Sequence, residues 1–156
     1  MPTIFEGVLF ADYHQVYLCD ASHPHLPEEW TEDNLRRRIN LTDYALVIST
    51  ARNTEVPVKV ELHTSRPSPD LAGVDHAIEA PLRVPSGKLI VAGISDYSKT
   101  ATRVAVPAGD LRALVLSGGL GSLSADGLDG DDHYLVHLWP EKASGVVVLR
   151  QWQGHV

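Results

Sequence analysis

The chain has 156 residues, 44% hydrophobic and 21% charged, a composition that excludes a disordered, collagenous or coiled-coil protein and fits one domain over residues 1–156. Thirteen Lys and Arg against 20 Asp and Glu give a formal charge of −7, which argues against a domain that grips nucleic acid through its overall field and favours a basic partner. One cysteine, Cys19, leaves no intramolecular disulfide or cysteine zinc site, and the lack of a basic leader or long apolar run predicts a cytoplasmic protein without a membrane span.

Alternation of apolar and polar residues predicts ten strands. The first two are expected at Thr3 to Leu9 and Tyr13 to Cys19, the latter with Tyr13, Gln15, Tyr17 and Cys19 on one side and His14, Val16 and Leu18 on the other. One short helix follows near residues 31–39. Thr31 is its N-cap, Glu32 and Asp33 lie at the positive end of its dipole, and Arg36, Arg37 and Arg38 lie toward the negative end. Leu35 and Ile39 are expected to share a face against a sheet edge, and Trp30 has the position of a staple residue for Leu35.

Strands are then expected at Tyr44 to Thr50 and Val56 to His63, with Arg52-Asn53-Thr54 as a hairpin turn in which Asn53 tolerates positive φ. The rest are expected at His76 to Val84, Leu89 to Ile94, Thr102 to Val106, Leu111 to Ser117, Tyr134 to Trp139 and Val146 to Gln151. Ser65 to Asp75 and Ser117 to His133 read as long loops. This spacing predicts an all-β, single-domain antiparallel β-sandwich, jelly-roll or immunoglobulin-like, with one short helix.

No catalytic residue, metal or cofactor is assigned. His23-Pro24-His25 with Glu29 has the spacing of a cupin metal motif, but Pro24 disfavours a paired strand and the segment reads as a loop. A metal-dependent enzyme or ligand binder in a cupin-like barrel is the alternative function, and it requires several of His14, His63, His76 and His137 to converge. Asp126, Asp129, Asp131 and Asp132 offer oxygen ligands at short spacing without the EF-hand frame and read as an acidic turn. A calcium-stabilised carbohydrate module would use Trp30, Trp139 or Trp152 as stacking platforms. Cys19 lies within a strand pattern, and there is no G-x-S-x-G elbow.

Tyr13-His14-Gln15, Trp30-Thr31 and Arg52-Asn53-Thr54, in this order and spacing, resemble the competence protein J family, the small inhibitors of the nuclease that admits DNA into competent bacteria. The likeness is clearest over Tyr13 to Leu62 and thins downstream to the turn at Pro107-Ala108-Gly109-Asp110. It implies a compact all-β bacterial protein that binds and blocks a nuclease and is not itself an enzyme. The chain is longer than such inhibitors, chiefly in Ser117 to His133 and after Val146.

Charge fits that reading. Asp20, Glu28, Glu29, Glu32 and Asp33, together with Asp126, Asp129, Asp131 and Asp132, are nine of the 20 acids, leaving 11 acids against 13 bases elsewhere. A nuclease presents cations to phosphate, so a basic protein partner is expected to meet acidic loops. The expected contact residues are Tyr13, His14, Glu28, Glu29, Trp30, Glu32, Asp33, Arg52, Asp126, Asp129, Asp131 and Asp132, with no direct contact to nucleic acid.

Overall fold

Strand alternation builds two packed sheets in a computed structural model, which describes residues 2–96 and 98–154. In chain order the strands are β1 (Thr3–Phe10), β2 (Gln15–Asp20), β3 (Ile39–Thr42), β4 (Ala45–Ser49), β5 (Glu55–Leu62), β6 (Val74–Val84), β7 (Lys88–Gly93), β8 (Thr102–Ala105), β9 (Gly109–Gly118), β10 (His133–Pro140) and β11 (Val147–Arg150). The helix α1 (Glu32–Arg37) precedes β3. One sheet has the order β1-β5-β10-β9-β6-β11 and the other β3-β4-β2-β7-β8. The pairs are antiparallel except β5 with β10, which run parallel.

Every second residue of these strands points between the sheets. Val16 and Leu18, Leu46 and Ile48, Val56, Val58 and Val60, Ile78 and Leu82, and Tyr134, Val136 and Leu138 form one core. At about 25 cal/mol per Å² of apolar area removed from water, this shared layer is the main force joining the sheets. A second apolar cluster, Tyr17, Cys19, Ala45, Val47, Ile90 and Ala92, lies on the outer face of the five-stranded sheet under Leu26 and Trp30. On the outer face of the other sheet, Trp139 packs with Ala77, Leu114 and Leu116 under Leu71 and Val74.

The β-sandwich expected from the sequence is therefore present, with four local corrections. Thr31 does cap α1, its Oγ1 accepting from Asn34 N at 3.1 Å. Arg38, however, takes a left-handed conformation at φ 62° and ends the helix. Ile39 therefore belongs to β3, an unexpected strand in which it pairs with Ile48, and it shares no helix face with Leu35, which is exposed.

Tyr13 and His14 do not begin the second strand. They form a 3-10 turn with φ of 57° and 61°, and β2 starts at Gln15. Arg52-Asn53-Thr54 is not a hairpin turn, because β4 and β5 lie in different sheets and the segment crosses between them. Asn53 is not among the residues of positive φ. Finally, the parallel β5–β10 pair departs from a wholly antiparallel arrangement.

Burial also fixes a histidine tautomer. The buried His76 accepts from Trp152 N at Nδ1 (3.0 Å), so its Nε2–H donates to the Arg37 carbonyl at 2.7 Å. Burial lowers its pKa against the favourable pull of the Arg37 carbonyl, and Arg38 lowers it further. A depressed folded pKa keeps this contribution intact above the unfolded value of about 6.5 and removes it as pH falls through the folded one. Denaturation midpoints are therefore expected to fall as pH drops below about 6.5. Replacing His76 with Gln should flatten that slope, and an equally steep slope in the variant would show that His76 does not titrate this way.

Candidate functional site

The three segments that carry the family resemblance are far apart in sequence and meet at one end of the sandwich. A groove of about 330 Å³ is lined by Tyr13, His14, Gln15, Trp30, Leu35, Ser49 and Thr50. Its floor is the end of β4 and the crossing segment to β5. His14 N donates to Asn53 Oδ1 at 3.2 Å, the His14 ring Nδ1 lies 3.2 Å from the Thr50 carbonyl, and Thr50 N donates to His14 O at 2.9 Å. Ala11 N donates to Thr54 O at 2.7 Å, closing the turn against the crossing segment.

That turn is strained. Left-handed backbone costs a non-glycine residue about 1–2 kcal/mol, and two adjacent residues adopt it here. The result is to present Tyr13 outward, 72% exposed, at the lip of the groove. Leu35, 58% exposed, lies in the same groove, so the Trp30–Leu35 pair expected of a staple shares a surface instead of a core. The Trp30 ring is half-buried against the outer cluster of the five-stranded sheet, which holds it rigid. Aromatic groups such as Tyr and Trp, held on a fixed frame, are the usual anchors of a protein interface.

Beneath the crossing segment lies a buried polar network. Asp132 is fully buried and pairs with Arg52 through Oδ1, while its Oδ2 accepts from the Tyr134 hydroxyl at 2.6 Å and from Arg52 N at 3.3 Å. Ala51 N in turn donates to the Tyr134 oxygen at 2.7 Å. Burial, then the bond to Asp132, pushes the Tyr134 hydroxyl pKa far up. Arg38 is also buried here and donates through Nη2 to Ser49 O at 3.3 Å. Asp132 is thus out of reach of a partner in this conformation, and Arg52, partly exposed, is tied to it next to Thr50 of the groove.

The remaining expected acids are exposed. Glu28, Glu29, Glu32 and Asp33 flank Trp30, with Asp33 paired to Arg36. Asp126, Asp129 and Asp131 are exposed on the loop before β10, where Asp126 closes a local turn by accepting from Leu128 N at 3.0 Å. Thr54 Oγ1 donates to Leu128 O at 3.2 Å, which ties this loop to the crossing segment. Asp20 is different: it is buried at the end of β2 and accepts from Ser86 N at 3.1 Å. Burial opposes its ionisation, but hydrogen bonds from His23, Ser22 and Ser86 outweigh that and hold its pKa below the usual range.

The other expected chemistries are placed as follows. His23 Nδ1 lies 2.7 Å from Asp20 Oδ2, and its ring stacks on Tyr44 at 3.9 Å, which gives it a structural place apart from any metal motif. Burial and then Asp20 raise the Cys19 thiol pKa to about 11, so a thiolate does not form there at neutral pH. Trp139 is buried and offers no stacking platform. Of His14, His63, His76 and His137, only His63 and His137 meet. With Glu61 they are the one group among the described residues whose ligating atoms could share an ion. Gln15, Leu35, Ser49 and Thr50 complete the groove without having been expected at the contact, although Gln15 stands in a resemblance segment and Leu35 was expected to pack with Ile39 and Trp30.

No protein-family model matches the chain, and no curated protein matches it in sequence. Its fold, however, is shared with solved structures. One is ComJ, inhibitor of the DNA degrading activity of NucA, from Bacillus subtilis, similar at TM-score 0.67 and 16% identity over 89% of this chain and 97% of that one. Another is the crocagin biosynthetic gene J product, at TM-score 0.60 and 20% identity over 90% and 97% of the two chains. The expected likeness to the competence protein J fold is therefore present across nearly the whole chain. No helix among the described residues is long and apolar enough to cross a membrane.

Proposed function

We propose that this protein is a binding module that inhibits a nuclease, or a similarly basic enzyme, by seating it on the groove of Tyr13, His14 and Trp30. The observation that carries the reading is that Tyr13, His14 and Gln15 share one groove with Trp30, while Asn53 of the third resemblance segment accepts from the His14 amide of that turn. The nuclease inhibitor that shares the fold supports the same reading. Tyr13, Trp30 and Leu35 supply apolar anchors, and Glu28, Glu29, Glu32 and Asp33 beside them, with Asp126, Asp129 and Asp131, supply the acidic surround. Such a surround steers a basic partner into place and acts mainly on the association rate. In this reading the protein performs no chemistry of its own.

The reading is tested by stopped-flow association with the nuclease encoded nearest to this gene. Neutralising Glu28, Glu29, Glu32 and Asp33 to Gln and Asn should slow association by about tenfold at low salt and by much less above about 0.5 M, where charge is screened within a few Å. An unchanged rate and salt dependence would remove the acidic surface from the reading.

A further inference from the structure

The parallel β5–β10 pair sets Glu61 opposite His137, and His63 N donates to Leu138 O at 2.8 Å, carrying the ladder one step beyond β5. Alternation sends Val58, Val60, Val136 and Leu138 into the core. It leaves Glu61, His63 and His137 together on the outer face of the six-stranded sheet, away from the groove. His63 Nε2 lies 2.9 Å from His137 Nδ1, and Glu61 Oε1 lies 3.6 Å from the first and 3.5 Å from the second. Three ligands about 2.0–2.1 Å from one tetrahedral ion stand about 3.3 Å apart. The three edges straddle that value, so an ion can be held with only small side-chain adjustments.

We propose that Glu61, His63 and His137 form a site for one divalent transition-metal ion of the zinc type, with its remaining position open to solvent. Two imidazoles and one carboxylate suit borderline ions, and one carboxylate is too little oxygen for Ca²⁺ or Mg²⁺. Lys59 Nζ sits 3.3 Å from Glu61 Oε2, which leaves Oε1 as the single oxygen directed at the imidazoles. His137 is buried and Glu61 and His63 are half-buried, so the ligands are held by the sheet. His63 also lines a cavity of about 380 Å³ with Pro2, Thr64, Ser65 and Arg66, which brings solvent to one of the three ligands. An ion here would cross-link the parallel strand pair.

The test uses untagged full-length protein, stripped with a chelator, dialysed and titrated with Zn²⁺ by calorimetry, with the visible spectrum of Co²⁺ as a second readout. One equivalent is expected to bind, raising the melting temperature and giving the intense absorption of low-symmetry, four-coordinate Co²⁺. His63→Ala and Glu61→Gln, both at half-buried positions, should each weaken binding by at least the about 10–100-fold that loss of a mere outer-shell partner costs. His25→Ala, at an exposed histidine elsewhere, should leave it unchanged. No saturable binding to the wild type, or equal affinity in His63→Ala and Glu61→Gln, would overturn the assignment.

Discussion

Replacing Asp132 with Ala is expected to destabilise the protein by about 3–5 kcal/mol, the cost of removing one member of a buried ion pair. The same change at Asp129 or Asp131, within the same short acidic stretch, should stay within about 0.5 kcal/mol, as at other exposed sites. The contrast follows from burial. Asp132 is inaccessible, and its loss strands the Arg52 guanidinium, the Tyr134 hydroxyl and the Arg52 amide at once. The groove should suffer with the core, because these bonds fix residues 51 and 52 next to Thr50. Urea denaturation of the three variants decides the matter, and equal midpoints would show that Asp132 is no more structural than its neighbours.

Tyr13→Gly should weaken partner binding by about 2 kcal/mol or more, about 30-fold, while leaving stability within about 1 kcal/mol of wild type. The ring is largely exposed and buries little within the protein. Glycine accepts the left-handed φ of 57° without strain, and that gain offsets the added freedom of its unfolded chain. Trp30→Ala should also weaken binding, but it removes a ring packed on the outer cluster of the five-stranded sheet and so lowers stability as well. Tyr13→Gly therefore separates interface from fold. Calorimetric affinity and a denaturation curve on this one variant give both readouts, and an unchanged affinity would exclude the Tyr13 lip from the interface.

Alternation carried much of the fold because each strand keeps one face on the shared core. Two of the departures come from a backbone state with no side-chain mark, and the other two, the crossing at Arg52-Asn53-Thr54 and the parallel β5–β10 pair, come from which sheet and which neighbour a strand joins. Arg38 in a left-handed conformation hides the end of α1 and the start of β3, since Arg36 to Ile39 reads as continuous helix. Tyr13 and His14 likewise continue the alternation of β2 while turning away from it.

The candidate site was legible in part. Tyr13, His14 and Trp30 do line one groove, although their strand and staple assignments did not foretell it. Asp132 could have been separated from Asp126, Asp129 and Asp131 by phase, because it stands in step with Tyr134, Val136 and Leu138, the core face of β10. The meeting of Glu61 and His63 with His137 had no local signal. It depends on the parallel pairing of strands some 74 positions apart.

The most direct measurement of the central claim is the DNA-degrading activity of the nuclease encoded nearest to this gene, titrated with purified wild-type protein. The proposed function predicts that activity falls linearly to near zero at a fixed stoichiometry, and that Tyr13→Gly requires a large excess for the same effect. Full nuclease activity in molar excess of the wild-type protein, with no complex on a sizing column, would contradict it.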